Sequence, residues 1–169
     1  PGTDIVLYHA IGRRILETNK EDVEFITGHT ENFESYRETV MKKSIDDAAK
    51  ICKVEKSDIE KAAQWIGDSK GFVSMWAMGL NQSSIGVNKN TSLLGLSLLT
   101  GQIGKPGSGP LSLTGQPNAM GGREVGGLCN LLSAHRNLDN PQHRKEIADL
   151  WGVNTIRDTP GLSATEMFD

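Results

Sequence analysis

Gly71-Phe-Val-Ser-Met-Trp-Ala-Met78 is the stretch that decides the fold class of this chain. It is a short apolar run, rich in the β-branched and aromatic residues that suit strands, and it has the length of a buried strand. Residues 88–100 follow with helical periodicity and leucines on almost every face, which predicts a buried helix. A helix packed behind a strand indicates an α/β layer. Because one strand cannot form a sheet, its partners must be short strands that the pattern does not reveal, or must lie outside this chain.

The first seventy residues are typical of amphipathic helices. Asp4 occupies the N-cap position of the first stretch, and Ser44 and Ser57 each begin a capping box of the form Ser-x-x-acid. Apolar residues recur at the helical period, and charged residues fill the other faces as the solvated sides of surface helices. These signals predict helices over residues 5–18, 21–28, 31–42, 45–52 and 58–68.

Residues 101–135 have no sustained periodicity, and nine glycines fall within residues 101–127. Loops of this length usually bind something or are disordered, and glycine lets the backbone approach a ligand closely. The P-loop pattern is absent because Gly104-Lys105 is followed by Pro106 rather than by a hydroxyl residue, and the strand is not followed by Gly-x-Gly-x-x-Gly. Apolar residues that a flexible linker rarely needs occur throughout: Ile103, Leu111, Leu113 and Met120.

We therefore predict a helix-rich, layered α/β fold with few strands and a long glycine-rich loop. Asn140-Pro141 begins a further helix that runs to about Trp151, and Ser163 opens one more capping box. We expect one partial domain of a larger polypeptide, since the chain begins at Pro1 without a starting methionine. Its parts are a helical part (1–70), a strand–helix unit (71–100), a glycine-rich cofactor or active-site loop (101–135) and a helix with a linker (136–169).

Composition excludes several classes of function. The chain has 18 basic and 21 acidic residues, a balance that argues against nucleic-acid or membrane-surface binding by the whole chain. No apolar run reaches membrane-spanning length. Cys52 and Cys129 lie far apart and are interpreted as small hydrophobic residues, and the four histidines show no ligand spacing. We therefore expect no metal to be bound directly by this segment.

Two short motifs could contact a ligand on chemical grounds. Gly2-Thr3-Asp4 stands at a helix start, where backbone N–H groups favour anions and a carboxylate accepts charge-assisted hydrogen bonds. Met78-Gly-Leu-Asn-Gln82 ends the strand, and ligands of open α/β sheets bind beyond the carboxyl ends of the strands. A plain helix cap and a plain strand-to-turn transition would explain the same residues without a ligand.

Thr114-Gly-Gln-Pro-Asn-Ala-Met-Gly-Gly-Arg-Glu-Val-Gly126 resembles a segment of the molybdopterin oxidoreductases, in particular of nitrate reductase catalytic subunits of the cytoplasmic assimilatory type. Gly2-Thr3-Asp4 and Met78-Gly-Leu-Asn-Gln82 resemble two further motifs of that family, in the family's order. The resemblance extends over essentially the whole chain and is most specific at residues 76–82 and 98–127. It implies that the fold is a fragment of the layered α/β (Rossmann-like) domain of the molybdopterin oxidoreductases.

The resemblance implies roles for seven residues. The Asp4 carboxylate would accept hydrogen bonds from guanine N1 and N2, and the Gln82 amide would donate to and accept from a pterin edge. Arg123 would present a planar donor fork to planar nitrate, although an ion pair with Glu124 or with a neighbouring helix is the alternative. The residues are Gly2, Thr3 and Asp4 for the guanine end of the cofactor, Met78 and Gln82 for the pterin near molybdenum, and Gln116 and Arg123 for the active-site funnel.

The implied reaction is reduction of nitrate to nitrite by a full-length enzyme that holds molybdenum bis(molybdopterin guanine dinucleotide) and a [4Fe–4S] cluster. Ferredoxin, flavodoxin or an NADH-linked subunit would supply two electrons in the cytoplasm, and the rest of the polypeptide would complete the site. The family's cluster-binding cysteines and molybdenum ligand are not in this sequence, so we expect the isolated chain to be inactive. Formate dehydrogenase is the nearest alternative, and a non-catalytic nucleotide-binding or interaction module is an alternative of another class.

Overall fold

The computed structural model describes residues 2–116, 118–127, 131–163 and 165–168. It forms two compact units, Pro1–Leu113 and Thr114–Asp169, so the boundary falls inside the glycine-rich segment. The fold class is the predicted one, because helices dominate and the few strands are short. None of the helices within these residues is both long and apolar enough to cross a membrane.

The first unit contains seven helices and two strands within its described residues, and the five predicted N-terminal helices are all present. Helices α1 to α5 form a helical layer, and α6 and α7 follow the first strand. The helices are α1 (Asp4–Glu17), α2 (Val23–His29), α3 (Phe33–Met41), α4 (Ile45–Cys52), α5 (Lys56–Asp68), α6 (Met78–Asn81) and α7 (Gly86–Leu99), and the strands are β1 (Val73–Trp76) and β2 (Gly109–Ser112).

The predicted helix starts are partly confirmed. Ser44 caps α4, since its Oγ accepts a hydrogen bond from the Asp47 backbone N–H at 3.1 Å. The prediction for Ser57 is wrong: the N–H groups of Asp58 and Ile59 donate to the carbonyl of Glu55, so the first turn of α5 closes on Glu55. Asp4 is likewise the first residue of α1 rather than its cap, because its carboxylate is bound by a lysine side chain and not by the helix backbone.

Helix α1 is the centre of the first unit and packs against α3, α4, α5 and α7. The core contains the most deeply buried large side chains, which are Ile15, Ile59, Leu96, Leu99 and Val40. Tyr36 fills the space between α1 and α7 where both helices have glycine. A Cβ added at Gly12 would lie 2.6 Å from the Tyr36 hydroxyl oxygen, and one added at Gly95 would lie 3.0 Å from the ring. Burial of this hydroxyl raises the pKa of Tyr36.

β1 pairs with β2 in parallel, with Val73 opposite Gly109 and Trp76 opposite Ser112. The partner of the predicted strand is therefore a short strand within the chain, one of the two alternatives that the sequence left open. The expectation that β1 is buried is wrong on one face: Met75 is 63% exposed while Ser74 is 6% exposed. The reason is that a layer of helices covers one face of the two strands, whereas parallel sheets are usually covered on both.

Gln102 joins the end of α7 to the start of β1. Gly101 has φ +60° and ends the helix, and the backbone N–H of Gln102 donates to the carbonyl of Ser97 at 2.8 Å, as in a Schellman motif. The buried Gln102 side chain accepts from the Phe72 N–H at 3.1 Å and donates to the Thr100 carbonyl at 3.0 Å. This part of the glycine-rich run is therefore a structural connection.

The second unit contains short elements that periodicity did not predict. Its strands pair antiparallel, with Leu131 opposite Asn137. The Asn140 cap is confirmed, because its Oδ1 accepts from the backbone N–H of Gln142 at 2.9 Å and of His143 at 3.3 Å. The prediction for Cys129 lies outside the described residues. The elements are α8 (Ala119–Glu124), β3 (Leu131–Leu132), a 3₁₀ turn (Ser133–His135), β4 (Arg136–Asn137) and α9 (Pro141–Trp151).

We predict that Gly101→Ala lowers the free energy of unfolding more than Gly104→Ala. Both glycines have positive φ, which costs alanine about 1 kcal/mol. At Gly104 an added Cβ meets nothing within 4 Å, whereas at Gly101 it would lie 2.3 Å from Oδ2 of Asp22. Asp22 caps α2 through the Phe25 N–H, so displacing it should add about 1 kcal/mol. Urea unfolding of the two variants measures the difference, and equal losses would contradict the proposed clash.

Candidate functional site

Gly2-Thr3-Asp4 lies at the start of α1. The Thr3 carbonyl accepts from the Leu7 N–H at 3.0 Å and from the Cys52 thiol at 3.7 Å, so the start of α1 is tied to the end of α4. Gly2 has φ +84°, and a Cβ added there would meet no atom within 4 Å. The Thr3 carbonyl is thus held by two donors at the point where α1 begins.

The Asp4 carboxylate forms an ion pair with Lys89 of α7, at 2.9 Å between Oδ2 and Nζ. The lysine side chain is 9% exposed and the aspartate side chain 30% exposed, so the ammonium lies on the inner side of the carboxylate. The hydrogen bond from Lys89 lowers the pKa of Asp4, against an opposing effect of desolvation. Lys89 was not predicted from the sequence, although its position four residues before Leu93 in an apolar helix is the signal that could have revealed it.

Met78 and Gln82 lie at the carboxyl end of β1, on α6 and immediately after it. They are four residues apart, the spacing that brings side chains together across one helical turn, and both are exposed. Asn81 fixes this segment: its Oδ1 accepts from Trp76 Nε1 and its Nδ2 donates to Ser112 Oγ, both at 2.9 Å. The asparagine of this motif is thus a brace between the ends of β1 and β2.

The two motifs of the first unit are linked through the N-terminal turns of α7. Lys89 contacts Asp4 at one end of this link. Gly86 forms the other end, since a Cβ added there would lie 2.6 Å from the carbonyl oxygen of Asn81 and 3.0 Å from that of Leu80. Helix α7 therefore packs directly against the segment that carries Met78 and Gln82.

Gln116 and Arg123 line one open cavity of about 670 Å³ in the second unit, together with Asn118, Gly122 and Gly126. Helix α8 carries Arg123, and two contacts join the end of this helix to the 3₁₀ turn. Glu124 contacts His135 at 2.9 Å, and the Val125 carbonyl accepts from Ser133 Oγ at 2.9 Å. The carboxylate of Glu124 thus contacts His135 rather than Arg123. Within the described part of the second unit, Arg123 has no ion pair.

The predicted site residues thus fall into two groups, one in each unit. Gly2, Thr3, Asp4, Met78 and Gln82 belong to the first. Gln116 and Arg123 belong to the second and share a cavity. Within the described ranges, no group of three or more histidine, cysteine, aspartate or glutamate side chains is arranged to hold a metal ion.

Several redox enzymes are similar to this chain over nearly all of its length. No family model matches the chain. A nitrate reductase of Synechocystis sp. is 49% identical over 170 residues, which are 99% of this chain and 24% of the relative. A periplasmic nitrate reductase of Desulfovibrio desulfuricans is 35% identical over 100% of this chain and 24% of the relative. Formate dehydrogenase H of Escherichia coli is 32% identical over 98% of this chain and 23% of its own length.

The fold is similar to that of acetylene hydratase from Pelobacter acetylenicus. The TM-score is 0.57 at 21% sequence identity, and the match covers 63% of this chain and 15% of the other. The chain spans about a quarter of the curated relatives that it matches, at 24% of the Synechocystis protein. The α/β architecture, the ordered motifs and the relatives agree, and this chain belongs to the molybdopterin oxidoreductases as a segment of a longer protein.

We predict that the ion pair of Asp4 stabilises the fold in a pH-dependent way. Because the folded pKa of Asp4 is lowered, its contribution is present above the ordinary value of 3.8 and is lost as the pH falls through the lowered pKa. Urea unfolding of wild type and Asp4→Asn should give a difference that is constant near neutral pH and shrinks in acid.

The matched control is Asp46→Asn, because Asp46 contacts Lys56 at the same distance of 2.9 Å but both side chains are exposed. Near neutral pH, solvent screening should make its effect smaller than that of Asp4→Asn. An equal or larger effect at Asp46 would show that the inner position of Lys89 adds nothing.

Proposed function

We propose that the full-length protein reduces nitrate to nitrite and that this chain holds one part of its molybdenum cofactor and one part of its active-site funnel. The observation that carries the proposal is the 49% identity to a nitrate reductase over 170 residues, which are 99% of this chain. Two features of the structure support the proposal: the two motifs proposed for the cofactor are joined through α7, and the two residues proposed for the funnel line one cavity.

The chemistry of the available side chains fits a molybdopterin guanine dinucleotide. Asp4 supplies an ionised carboxylate with 30% of its side chain exposed, which suits the adjacent N–H donors of a guanine edge. Gln82 supplies an exposed amide that both donates and accepts, as a pterin edge requires, and Met78 supplies a polarisable thioether beside it. When bound, the molybdenum cofactor would supply the oxygen-atom and electron chemistry.

Binding and orientation are the tasks of this chain in that proposal. The guanine end would lie beside Gly2 and Thr3, and Asp4 would select it by its donor pattern. Gln116 and Arg123 would orient nitrate in the cavity that they line. A guanidinium suits this purpose because its planar fork can donate two parallel hydrogen bonds to a planar trigonal anion.

Formate oxidation is the second candidate, because the chain is also 32% identical to formate dehydrogenase H over 98% of its length. The same residues would hold the same cofactor, and the substrate would differ. The higher identity to nitrate reductases and the amino-acid sequence of residues 114–126 favour nitrate as the substrate.

The proposed setting is nitrate assimilation in the cytoplasm, with a [4Fe–4S] cluster elsewhere in the polypeptide and ferredoxin, flavodoxin or an NADH-linked subunit as electron donor. The resemblance of residues 114–126 to the assimilatory type supports it. Fractionation of cells that produce the native protein tests it, since recovery in the periplasmic fraction, as expected for a protein like the Desulfovibrio relative, would overturn the cytoplasmic assignment.

We predict that the purified full-length protein contains molybdenum and reduces nitrate with a low-potential dye as electron donor. Formate with an oxidising dye is the parallel assay on the same preparation, and molybdenum is measured by mass spectrometry. Good molybdenum occupancy with formate oxidation and no nitrate reduction would refute the nitrate proposal and favour the second candidate. Absence of molybdenum and of both activities would favour a non-catalytic module.

We predict that Arg123→Lys lowers nitrate turnover by about tenfold to a hundredfold while leaving molybdenum content unchanged. Lysine keeps the positive charge but loses the two-donor fork, and a lost charge-assisted hydrogen bond costs about 1.5–3 kcal/mol. Arg144→Lys is the matched control, because Arg144 donates to the Leu138 carbonyl and lines no part of the cavity.

Two outcomes separate the funnel role of Arg123 from a scaffold role. If Arg123 orients nitrate, Glu124→Gln should affect turnover less than Arg123→Lys, since Glu124 contacts His135. Near-normal turnover in Arg123→Lys, combined with lower thermal stability in Glu124→Gln, would place Arg123 in the scaffold instead.

A further inference from the structure

We propose that Lys89 is a positioning residue for the nucleotide end of the cofactor, acting through Asp4. The inference rests on the proposed function, in which Asp4 accepts hydrogen bonds from guanine. It adds a residue of α7, distant in sequence from the Gly2-Thr3-Asp4 motif, to the group that recognises the base.

The geometry gives Lys89 and Asp4 different surroundings. The Lys89 side chain is 9% exposed and reaches Oδ2 of Asp4 at 2.9 Å from within the first unit. The Asp4 side chain is 30% exposed, so part of the carboxylate remains accessible from outside the first unit. A carboxylate has about four lone-pair sites, and one contact to Lys89 therefore leaves acceptor capacity for two further donors.

A buried ammonium is a strong constraint on its partner. Removing a lysine from water is costly unless an opposite charge compensates it, so Lys89 stabilises the one carboxylate orientation that meets it. A carboxylate in the first turn of a helix and free of such a contact would exchange among rotamers and would lose that freedom only when a base binds. Lys89 thus holds Asp4 ionised and oriented before the ligand arrives.

A purely structural tie between α1 and α7 is the competing explanation, and it predicts a different pattern of effects. If Lys89 is only a structural tie, its loss changes the stability of the fold but has no selective effect on nucleotide retention. A positioning residue changes nucleotide retention, and it does so only while the Asp4 carboxylate is present.

A double-mutant cycle on the full-length protein separates the two explanations. The variants are Lys89→Met, Asp4→Asn and the double variant, with Lys89→Arg as the conservative replacement. Each is purified with its cofactor and incubated below its melting temperature. At intervals the protein is separated from released cofactor, and the nucleotide still bound to it is measured as the GMP that acid hydrolysis releases. The melting temperature of each variant is measured in parallel.

We expect Lys89→Met to speed nucleotide loss by about threefold to tenfold, the factor for ordering one side chain at a binding site. Asp4→Asn should speed it at least as much, and Lys89→Met should then have no further effect in the Asp4→Asn background. Lys89→Arg should restore slow loss. The double variant should melt at a higher temperature than Asp4→Asn alone, because it no longer buries an uncompensated charge.

Three results would overturn the inference: unchanged nucleotide loss in Lys89→Met, additive effects of the two substitutions, or no rescue by Lys89→Arg. Failure of the proposed guanine contact is distinguishable, because Asp4→Asn would then retain nucleotide as wild type does. If Asp4→Asn loses nucleotide quickly and Lys89→Met does not, the guanine contact stands and the positioning role of Lys89 is refuted.

Discussion

The burial of α7 against α1 is the constraint on which the first unit depends. Leu93, Leu96 and Leu99 of α7 belong to the same buried cluster as the core residues of α1, and the Tyr36 ring lies where both helices have glycine. Because α7 is fixed in the core, each of its two ends positions a neighbouring part of the first unit. Its first turns meet Asp4 through Lys89 and the α6 segment through Gly86, and its last turn leads through Gln102 to β1. A single packed helix thereby sets the relative positions of two motifs, Gly2-Thr3-Asp4 and Met78–Gln82, that are far apart in sequence.

The polar side chains of these motifs differ in whether the fold itself uses them. Gln102 and Asn81 belong to conspicuous polar motifs, yet their amides are used within the fold, on backbone groups or on Trp76 and Ser112. The exposed Met78 and Gln82 remain available beside them. Gln102 is 3% exposed, and a buried amide with two protein partners is expensive to redirect to a ligand. Residue type alone therefore does not reveal which amides of a motif hold the fold together.

Helical periodicity and capping chemistry predicted most of the first unit, because these signals are local. Ser44 and Asn140 act as caps as expected, whereas the helix of Ser57 begins earlier, at a turn closed by Glu55. β2, α8 and β3 escaped prediction because elements of two to six residues carry too little periodicity, and the glycines of β2 and α8 resemble those of a loop. The pairing of Lys89 with Asp4 was out of reach because it joins residues 85 positions apart, and only the tertiary packing of α1 on α7 brings them together.

The central claim is that Asp4 and the α6 segment, held by α7, form the surface that receives a molybdopterin guanine dinucleotide. Determination of the full-length, cofactor-loaded structure by electron cryo-microscopy tests it most directly. We expect the guanine N1 and N2 atoms within about 3.2 Å of the Asp4 carboxylate while Lys89 keeps its contact from the inner side, and a pterin ring beside Met78 and Gln82. A map in which the nucleotide lies away from Asp4, with Asp4 bound to Lys89 alone, would contradict the claim.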